Sequence, residues 1–388
     1  MAVETDRSGI AEVAQSILLV DDDFAITEGL AAGLEREGRS LIICHDIESA
    51  ELIVEQFQPS HVVSDVHLTG PFGHEGLDFI RYAGRHAPGS RFIAMSGDGS
   101  DAMRLEASRR GAARFLSKPF EVRELEILLD EDFPPAGPVR REWCETIRVP
   151  LLDEVLVSDQ LSPLFQPIVG LGSARVIGYE SLARFGTDSP LRNPEFLFQY
   201  ASRKDQVGAL ELACIAKTFE NAKLLPPATS IFINVHPDVL NGGSSLPAAL
   251  RDLASRHGVG LERVVVEITE QHSLTETDEV MALIEEIRGL GVRFAFDDVG
   301  IAHSHLHLIG KVRPTFLKIS QAFGAGFESD STKSKIVNNI VSLARDFGCS
   351  VILEGIEEES TKLAAEKLGI EFGQGYLFGR PSAAGTIV

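Results

Sequence analysis

Arg293-Phe-Ala-Phe-Asp-Asp298 is a short apolar run that stops on two adjacent carboxylates. Three other apolar runs, all beyond residue 160, end on a single carboxylate: Ile177-Gly-Tyr-Glu180, Val264-Val-Val-Glu267 and Val351-Ile-Leu-Glu354. Runs this short, with helical stretches between the later ones, read as strands of a parallel sheet. A parallel barrel gathers its strand ends on one face, which is where barrel enzymes carry their chemistry. The five carboxylates gathered there cannot all stay ionised in a dry cleft unless cations neutralise them. The pattern predicts a metal-dependent hydrolase.

Eight strands can be picked out from Leu164 onward: Leu164–Val169, Arg175–Leu182, Ser230–Val235, Val264–Ile268, Arg293–Asp297, Thr315–Ile319, Ser350–Glu354 and Phe372–Tyr376. Gly170-Leu-Gly-Ser173 is too short for a parallel crossover, so the first two strands are expected to form an antiparallel hairpin. The expected fold for residues 161–388 is a TIM-type (β/α)8 barrel with one antiparallel strand.

The first part of the chain alternates in the same manner. Strands are expected at Ser16–Val20, Leu41–Cys44, His61–Ser64, Arg91–Met95 and Arg114–Leu116. Helices are expected at Phe24–Glu37, Ile47–Phe57, Leu77–His86, Asp101–Arg110 and Val122–Asp130. Five such units over residues 16–130 predict a doubly wound, flavodoxin-like (βα)5 domain, whose ligands bind beyond the carboxyl ends of the strands. Residues 1–15 read as a flexible polar tail. Asp132-Phe-Pro-Pro-Ala-Gly-Pro138 interrupts regular structure, and residues 131–160 are expected to be a linker. Within it, Trp143, Ile147, Leu151 and Val155 recur every four residues and predict a connector helix from about Arg140 to Leu156, with a break at Pro150.

Composition excludes several classes of function. The net charge of −21 divides evenly, with 12 basic and 23 acidic side chains in residues 1–130 and 24 and 34 in the remainder. Neither part is basic enough to bind DNA or RNA through phosphate neutralisation. Cys44, Cys144, Cys214 and Cys349 stand alone and read as reduced thiols. No apolar stretch approaches the roughly 20 residues that span a bilayer, and the polar, acidic N-terminus is no secretory signal. A cytoplasmic location is expected.

In the predicted N-terminal sheet, Asp21 and Asp22 end the first strand, Asp65 the third and Ser96 the fourth, while Lys118-Pro119 follows the fifth. Carboxylates converging there suit Mg²⁺, a hard cation that prefers oxygen. On these residues the segment resembles the receiver domain of two-component response regulators. The resemblance implies that Asp65 accepts phosphate from a histidine kinase, that Asp21 and Asp22 with Asp65 hold one Mg²⁺, and that Ser96 and Phe115 carry the switch. It implies further that Lys118 contacts the phosphate and that its bond to Pro119 is cis. Thr69-Gly70-Pro71 departs from the usual Pro-Gly order after the acceptor strand.

The barrel half carries Glu180-Ser-Leu-Ala-Arg184, Asn234 in Phe-Ile-Asn-Val, Glu267-Ile-Thr-Glu270, Asp297-Asp298, Lys318 in Phe-Leu-Lys-Ile, Glu354-Gly-Ile-Glu357 and Gln374-Gly-Tyr-Leu-Phe. It resembles the EAL-domain phosphodiesterase family, which hydrolyses cyclic di-GMP to the linear dinucleotide pGpG. The resemblance implies that Glu180, Asn234, Glu267, Asp297, Asp298 and Glu354 hold two Mg²⁺ or Mn²⁺ ions. It also gives Lys318 and Gln374 catalytic roles at the attacking water, makes Gln166 and Arg184 nucleotide contacts, and makes Glu270 a brace for the loop after Asp298. Charge supports two cations: five carboxylates and one lysine sum to −4, which would repel a substrate that is itself a dianion.

Three departures stand out. Ser181 replaces the alanine of the signature, Ser320 stands where an aspartate usually follows Lys-Ile, and Val299-Gly-Ile-Ala-His-Ser-His-Leu306 rewrites the loop after the aspartate pair. His303, His305 and His307 alternate along that loop and its border, where they could titrate near neutrality. The expected function is a response regulator that hydrolyses cyclic di-GMP under the control of Asp65. The alternative is a catalytically weak domain that binds cyclic di-GMP or a protein and relays a signal. Self-association into a homodimer or higher oligomer is expected in either case.

Overall fold

The computed structural model describes residues 15–36, 38–68, 75–131, 146–186, 189–241, 245–269, 274–300 and 306–387. The described residues divide into two compact units, those of 1–157 with 187–204, and those of 158–186 with 205–388.

Strands β1 (Gln15–Val20), β2 (Arg39–Cys44), β3 (His61–Asp65), β4 (Arg91–Ser96) and β5 (Arg114–Ser117) form a parallel sheet in the order β5-β4-β3-β1-β2. Strand residues alternate between its two faces. Ile17, Leu19, Leu41, Ile43, Val63, Ile93 and Met95 pack on one face against α1 (Phe24–Leu34) and α5 (Val122–Asp130) through Leu30, Leu34, Leu125 and Leu129. Leu18, Val20, Ile42 and Val62 are buried as well, so the run is apolar throughout, as a sheet covered on both faces requires. Helices α2 (Ile47–Phe57), α3 (Glu75–His86) and α4 (Asp101–Arg109) complete the unit's crossovers. Asp23 caps α1, Asp46 caps α2 and Ser100 caps α4, each accepting from a backbone N–H of the first turn, worth about 1 kcal/mol apiece.

The expected connector helix is corrected in part. Thr146–Arg148 is a strand, β6, paired in parallel with β2 through Ile42↔Ile147, and only Leu152–Val157 (α6) is helical. β-branched Thr146, Ile147 and Val149 favour extended backbone, and the edge of β2 offers unpaired amides and carbonyls to satisfy it. Residues 140–145 of that prediction lie outside the described range, as do Thr69-Gly70-Pro71 and the N-terminal residues 1–14.

The same unit takes in α7 (Pro194–Arg203), which packs on α2. Arg203 bonds to Glu51 and, at 2.6 Å, to Glu55, while Lys204 Nζ lies 2.8 Å from Asp46 Oδ2. The Tyr200 hydroxyl donates to the same Asp46 carboxylate.

In the other unit β7 (Leu161–Gly170), β8 (Val176–Phe185), β9 (Ser230–Val235), β10 (Val264–Thr269), β11 (Arg293–Val299), β12 (Phe316–Ile319), β13 (Ser350–Leu353) and β14 (Phe372–Gln374) close into a barrel. β7 runs antiparallel to both of its neighbours, β14 and β8, and the other pairs are parallel. Odd and even residues again part company. Ile231, Ile233, Val264, Val266, Phe294 and Phe296 pack outward under the helices. Ile168, Phe232, Val265, Ala295, Phe316 and Ile352 pack together as an internal plug, with Phe372 against them. Gly178 makes room for it, since a Cβ there would lie 2.7 Å from the Phe232 ring.

Candidate active site

Two residues beyond each plug position, the same inward row becomes polar. From Phe232 the row reaches Asn234, from Val265 Glu267, from Ala295 Asp297, from Phe316 Lys318, from Ile352 Glu354 and from Phe372 Gln374. Gly178 leads to Glu180 on β8, and on the reversed β7 the step from Ile168 goes back to Gln166. Strand periodicity therefore stacks a polar layer on the plug at the carboxyl face.

Lys318 stands at the centre, with no exposed surface. Its Nζ lies 3.2 Å from Glu180 Oε2, 2.9 Å from Glu267 Oε1, 3.1 Å from Asp297 Oδ1 and 2.9 Å from Glu354 Oε1. Glu180 also accepts from Asn234 Nδ2 at 3.1 Å and from Gln374 Nε2 at 2.7 Å. Gln374 donates as well to Gln166 Oε1, 3.1 Å away.

These surroundings set the protonation of each acid. Burial pushes Glu267 well above the usual carboxylate range, with Glu180 and Asp297 adding to it against the pull of Lys318. Burial likewise raises Asp297, and it raises Glu354 to about 8. Glu180 alone of these four moves down: burial opposes this, but the Lys318 charge and the bonds from Gln374 and Asn234 outweigh it. Burial would lower Lys318, yet the four carboxylates hold it well above its ordinary value.

Asp298 follows Asp297 of this cluster, donates its backbone N–H to the Asp297 carboxylate and helps to raise it. β11 carries one extra residue against β12, its pairing passing from Phe296↔Leu317 to Val299↔Ile319, and Asp298 takes a left-handed φ of 56° in the bulge. Neighbouring strand residues ordinarily face opposite ways, and a bulge re-aims one of them. Aspartate is among the few residues that tolerate this backbone. Glu270, His303 and His305 lie outside the described residues.

A cleft of about 180 Å³ opens over the cluster, lined by Gln166, Glu180, Arg184, Glu354 and Gln374. Gln321 and Tyr376 also line it and escaped the sequence reading. Tyr376 had one signal, its place directly after Gln374-Gly375, whereas Gln321 falls past the strand end at the start of a short helix.

The cluster fits divalent cations. One oxygen each of Glu180, Glu267 and Asp297 lie within 4.8 Å of one another. Glu267 Oε2 and Gln374 Oε1 are buried acceptors with no hydrogen-bond donor. An all-oxygen set holding buried acceptors short of donors suits a hard cation.

A second acidic pocket lies in the doubly wound unit, between β1 and β3 where the strand order reverses. Lys118 Nζ bridges Asp21 Oδ2 at 2.6 Å and Asp65 Oδ1 at 2.7 Å, and the Lys118-Pro119 bond is cis. Burial raises Asp65 against the pull of Lys118. Burial would lower Lys118, but its bonds to Asp21 and Asp65 hold it above its usual value. Ser96 is fully buried and its hydroxyl lies 3.4 Å from His67 Nδ1. Phe115 is half-buried under the Arg104 guanidinium, 5.0 Å from its ring centre. Asp22 is half-buried beside Asp21, whereas Asp23 is spent on capping α1. A Cβ on Gly76 would meet the Asp65 carbonyl at 1.8 Å, so only glycine lets α3 begin against the end of β3.

Fold and site together define a barrel with an acid-and-lysine centre, preceded by a doubly wound domain with an aspartate–lysine pocket. The chain belongs to the EAL domain family, which matches residues 151–381, and it carries a response regulator receiver domain at residues 17–130. Cyclic di-GMP phosphodiesterase TpdA of Vibrio parahaemolyticus is 29% identical over 213 residues, 55% of this chain and 36% of that protein. Cyclic di-GMP phosphodiesterase RocR of Pseudomonas aeruginosa is 24% identical over 382 residues, 94% of this chain and 95% of that protein. The structure of Klebsiella pneumoniae BlrP1 with manganese and cyclic di-GMP is 27% identical, with a TM-score of 0.53, covering 59% of this chain and 58% of that one. The chain spans 36%, 28% and 21% of the length of three other-sized curated relatives that it matches, TpdA among them. Among the described residues no helix is long and apolar enough to cross a membrane.

Proposed function

We propose that this protein hydrolyses cyclic di-GMP to pGpG and that phosphorylation of Asp65 by a histidine kinase changes the rate. The observation that carries the reading is the convergence of Glu180, Glu267, Asp297 and Glu354 on one buried ammonium, Lys318 Nζ. That much negative charge is compensated only in part by one lysine, and the buried acceptors beside it call for cations.

In this reading Glu180, Asn234, Glu267, Asp297, Asp298 and Glu354 hold two Mg²⁺ or Mn²⁺ ions. When bound, such ions acidify water and offset the charge of a phosphodiester. Opening the ring to pGpG adds the water oxygen to one phosphorus and breaks its bond to the ribose 3′ oxygen, which takes up a proton. Lys318 keeps its proton at neutral pH and steadies the anionic phosphorus centre. Gln374 orients Glu180 through its 2.7 Å bond. The planar fork of Arg184, at the cleft wall, suits a phosphate of the substrate, and Gln166 suits its nucleotide portion.

In the receiver unit Asp21, Asp22 and Asp65 would hold one Mg²⁺, Lys118 would contact the phosphoryl group, and Ser96 and Phe115 would carry the change. Self-association and a cytoplasmic location belong to the same proposal. Purified protein given Mn²⁺ or Mg²⁺ and cyclic di-GMP is expected to release pGpG, resolved by chromatography, and to stop when the metal is chelated. Binding without pGpG formation in both metals would overturn this reading. It would favour a cyclic di-GMP receptor, to which the rewritten Val299–Leu306 loop also points.

A further inference from the structure

The bond between Asn234 and Glu180 joins β9, near its carboxyl end, to the middle of β8, and both places are held from outside by one helix, α8 (Val207–Ala222). The β9 ladder stops at Val235↔Ile268 on one side and at Ile233↔Ser181 on the other. The next backbone amide, that of His236, therefore falls beyond the sheet and donates to Glu211 Oε1 of α8. Glu211 is 3% exposed, an expensive place for a carboxylate whose work could be done at the surface.

One turn pair further along the same helix, Thr218 meets Ser181, the residue after Glu180, at 2.6 Å between hydroxyls. Thr218 Oγ1 also lies 2.9 Å from the Cys214 carbonyl, which can only accept. A hydroxyl has one proton to give. Thr218 thus donates to Cys214 and accepts from Ser181, so the Ser181 hydroxyl has a fixed direction. Ser181 is the position where the chain departs from the alanine of the signature, and Thr218 is the buried partner that this departure needs.

We propose that Glu211 and Thr218 are positioning residues that set the Asn234–Glu180 pair for divalent-cation binding, Glu211 through His236 and Thr218 through Ser181. The inference rests on the metal reading given above. Neither residue touches the cluster. Glu211 holds a backbone amide two residues past Asn234 and Thr218 holds the side chain next to Glu180, and groups that orient ligands typically account for about 10–100-fold in metal affinity.

The test is Mn²⁺ uptake by the full chain, measured calorimetrically, with unfolding in EDTA followed alongside. Glu211→Ala is expected to weaken Mn²⁺ binding by about tenfold or more, and Glu211→Gln, which keeps the acceptor oxygen, to restore it. Thr218→Val is expected to weaken binding by leaving the Ser181 hydroxyl buried without its acceptor. Adding Ser181→Ala is expected to recover the loss, because removing both partners of a buried hydrogen bond costs little. No uptake by the wild type would overturn the metal reading itself. Normal uptake by the wild type and by Glu211→Ala alike would overturn the role of Glu211, and a Thr218→Val loss that Ser181→Ala leaves in place would overturn that of Thr218.

Discussion

Replacing Lys318 by methionine tests the electrostatic account of the barrel centre most directly. Methionine keeps the length of the side chain and adds no branch, so the change removes charge with little change of volume. Lys318 has no exposed surface and faces four carboxylates at 2.9–3.2 Å. Taking away one partner of a buried ion pair costs about 3–5 kcal/mol, because the other charge stays behind unpaired. For a unit of this size that lowers the melting temperature by roughly 6–20 °C. Differential scanning calorimetry of the full chain in EDTA reads the shift. The deficit has two further signatures. It should shrink as pH falls from 8 to 6, since Glu354, raised by burial to about 8, takes up a proton in that range and relieves the repulsion. It should also shrink on saturation with Mn²⁺, while hydrolysis stays lost. A deficit that is absent, or that is equal at both pH values and in both metal states, would refute the account.

His61 is 2% exposed in β3, and burial together with Arg91 and Arg39 lowers its pKa from 6.5 to about 4. Its native pKa is depressed, so the stability it contributes is present above 6.5 and lost as pH falls through that value towards 4. The loss amounts to about 3 kcal/mol. Urea titrations from pH 7 to 4 should show this slope, and His61→Gln should flatten it; an unchanged slope in the variant contradicts the assignment. Gly178→Val should destabilise the barrel by about 1–3 kcal/mol through its clash with the plug, and a thermal scan matching the wild type would count against that packing. Turnover of the wild type should respond to a small-molecule phosphodonor and that of Asp65→Ala should not. A response kept by the variant would exclude Asp65 as the acceptor.

Much of the barrel centre was legible because a strand has a period of two. Once Phe-Ile-Asn, Phe-Leu-Lys and Val-Val-Glu are read as strands, their inward residues are fixed, and a polar residue must follow an apolar one on the same row. The receiver pocket was legible for a similar reason, since Asp65 and Ser96 end their parallel strands and Asp21 and Lys118 directly follow theirs. Other features depend on partners that local pattern does not name. The left-handed Asp298 arises from a register shift against β12, which neither strand records by itself. β6 was read as helix because apolar spacing by four satisfies both readings until the free edge of β2 is known. Glu211 and Thr218 look like any polar residues on an amphipathic helix, and their meaning comes from the residues of β8 and β9 that they meet.

The placement of α7 bears on how such proteins can be taken apart. The chain leaves the first unit after residue 157, returns at 187 and leaves again after 204, so no single scission separates the two. A chimaera that grafts a foreign receiver in front of residue 158 would strand Tyr200, Arg203 and Lys204 opposite a surface lacking Asp46, Glu51 and Glu55. The heritable module is therefore residues 1–157 together with an eighteen-residue excursion from the barrel's own sequence. Exchange between relatives has to carry both pieces or repair the acid-and-base match between them.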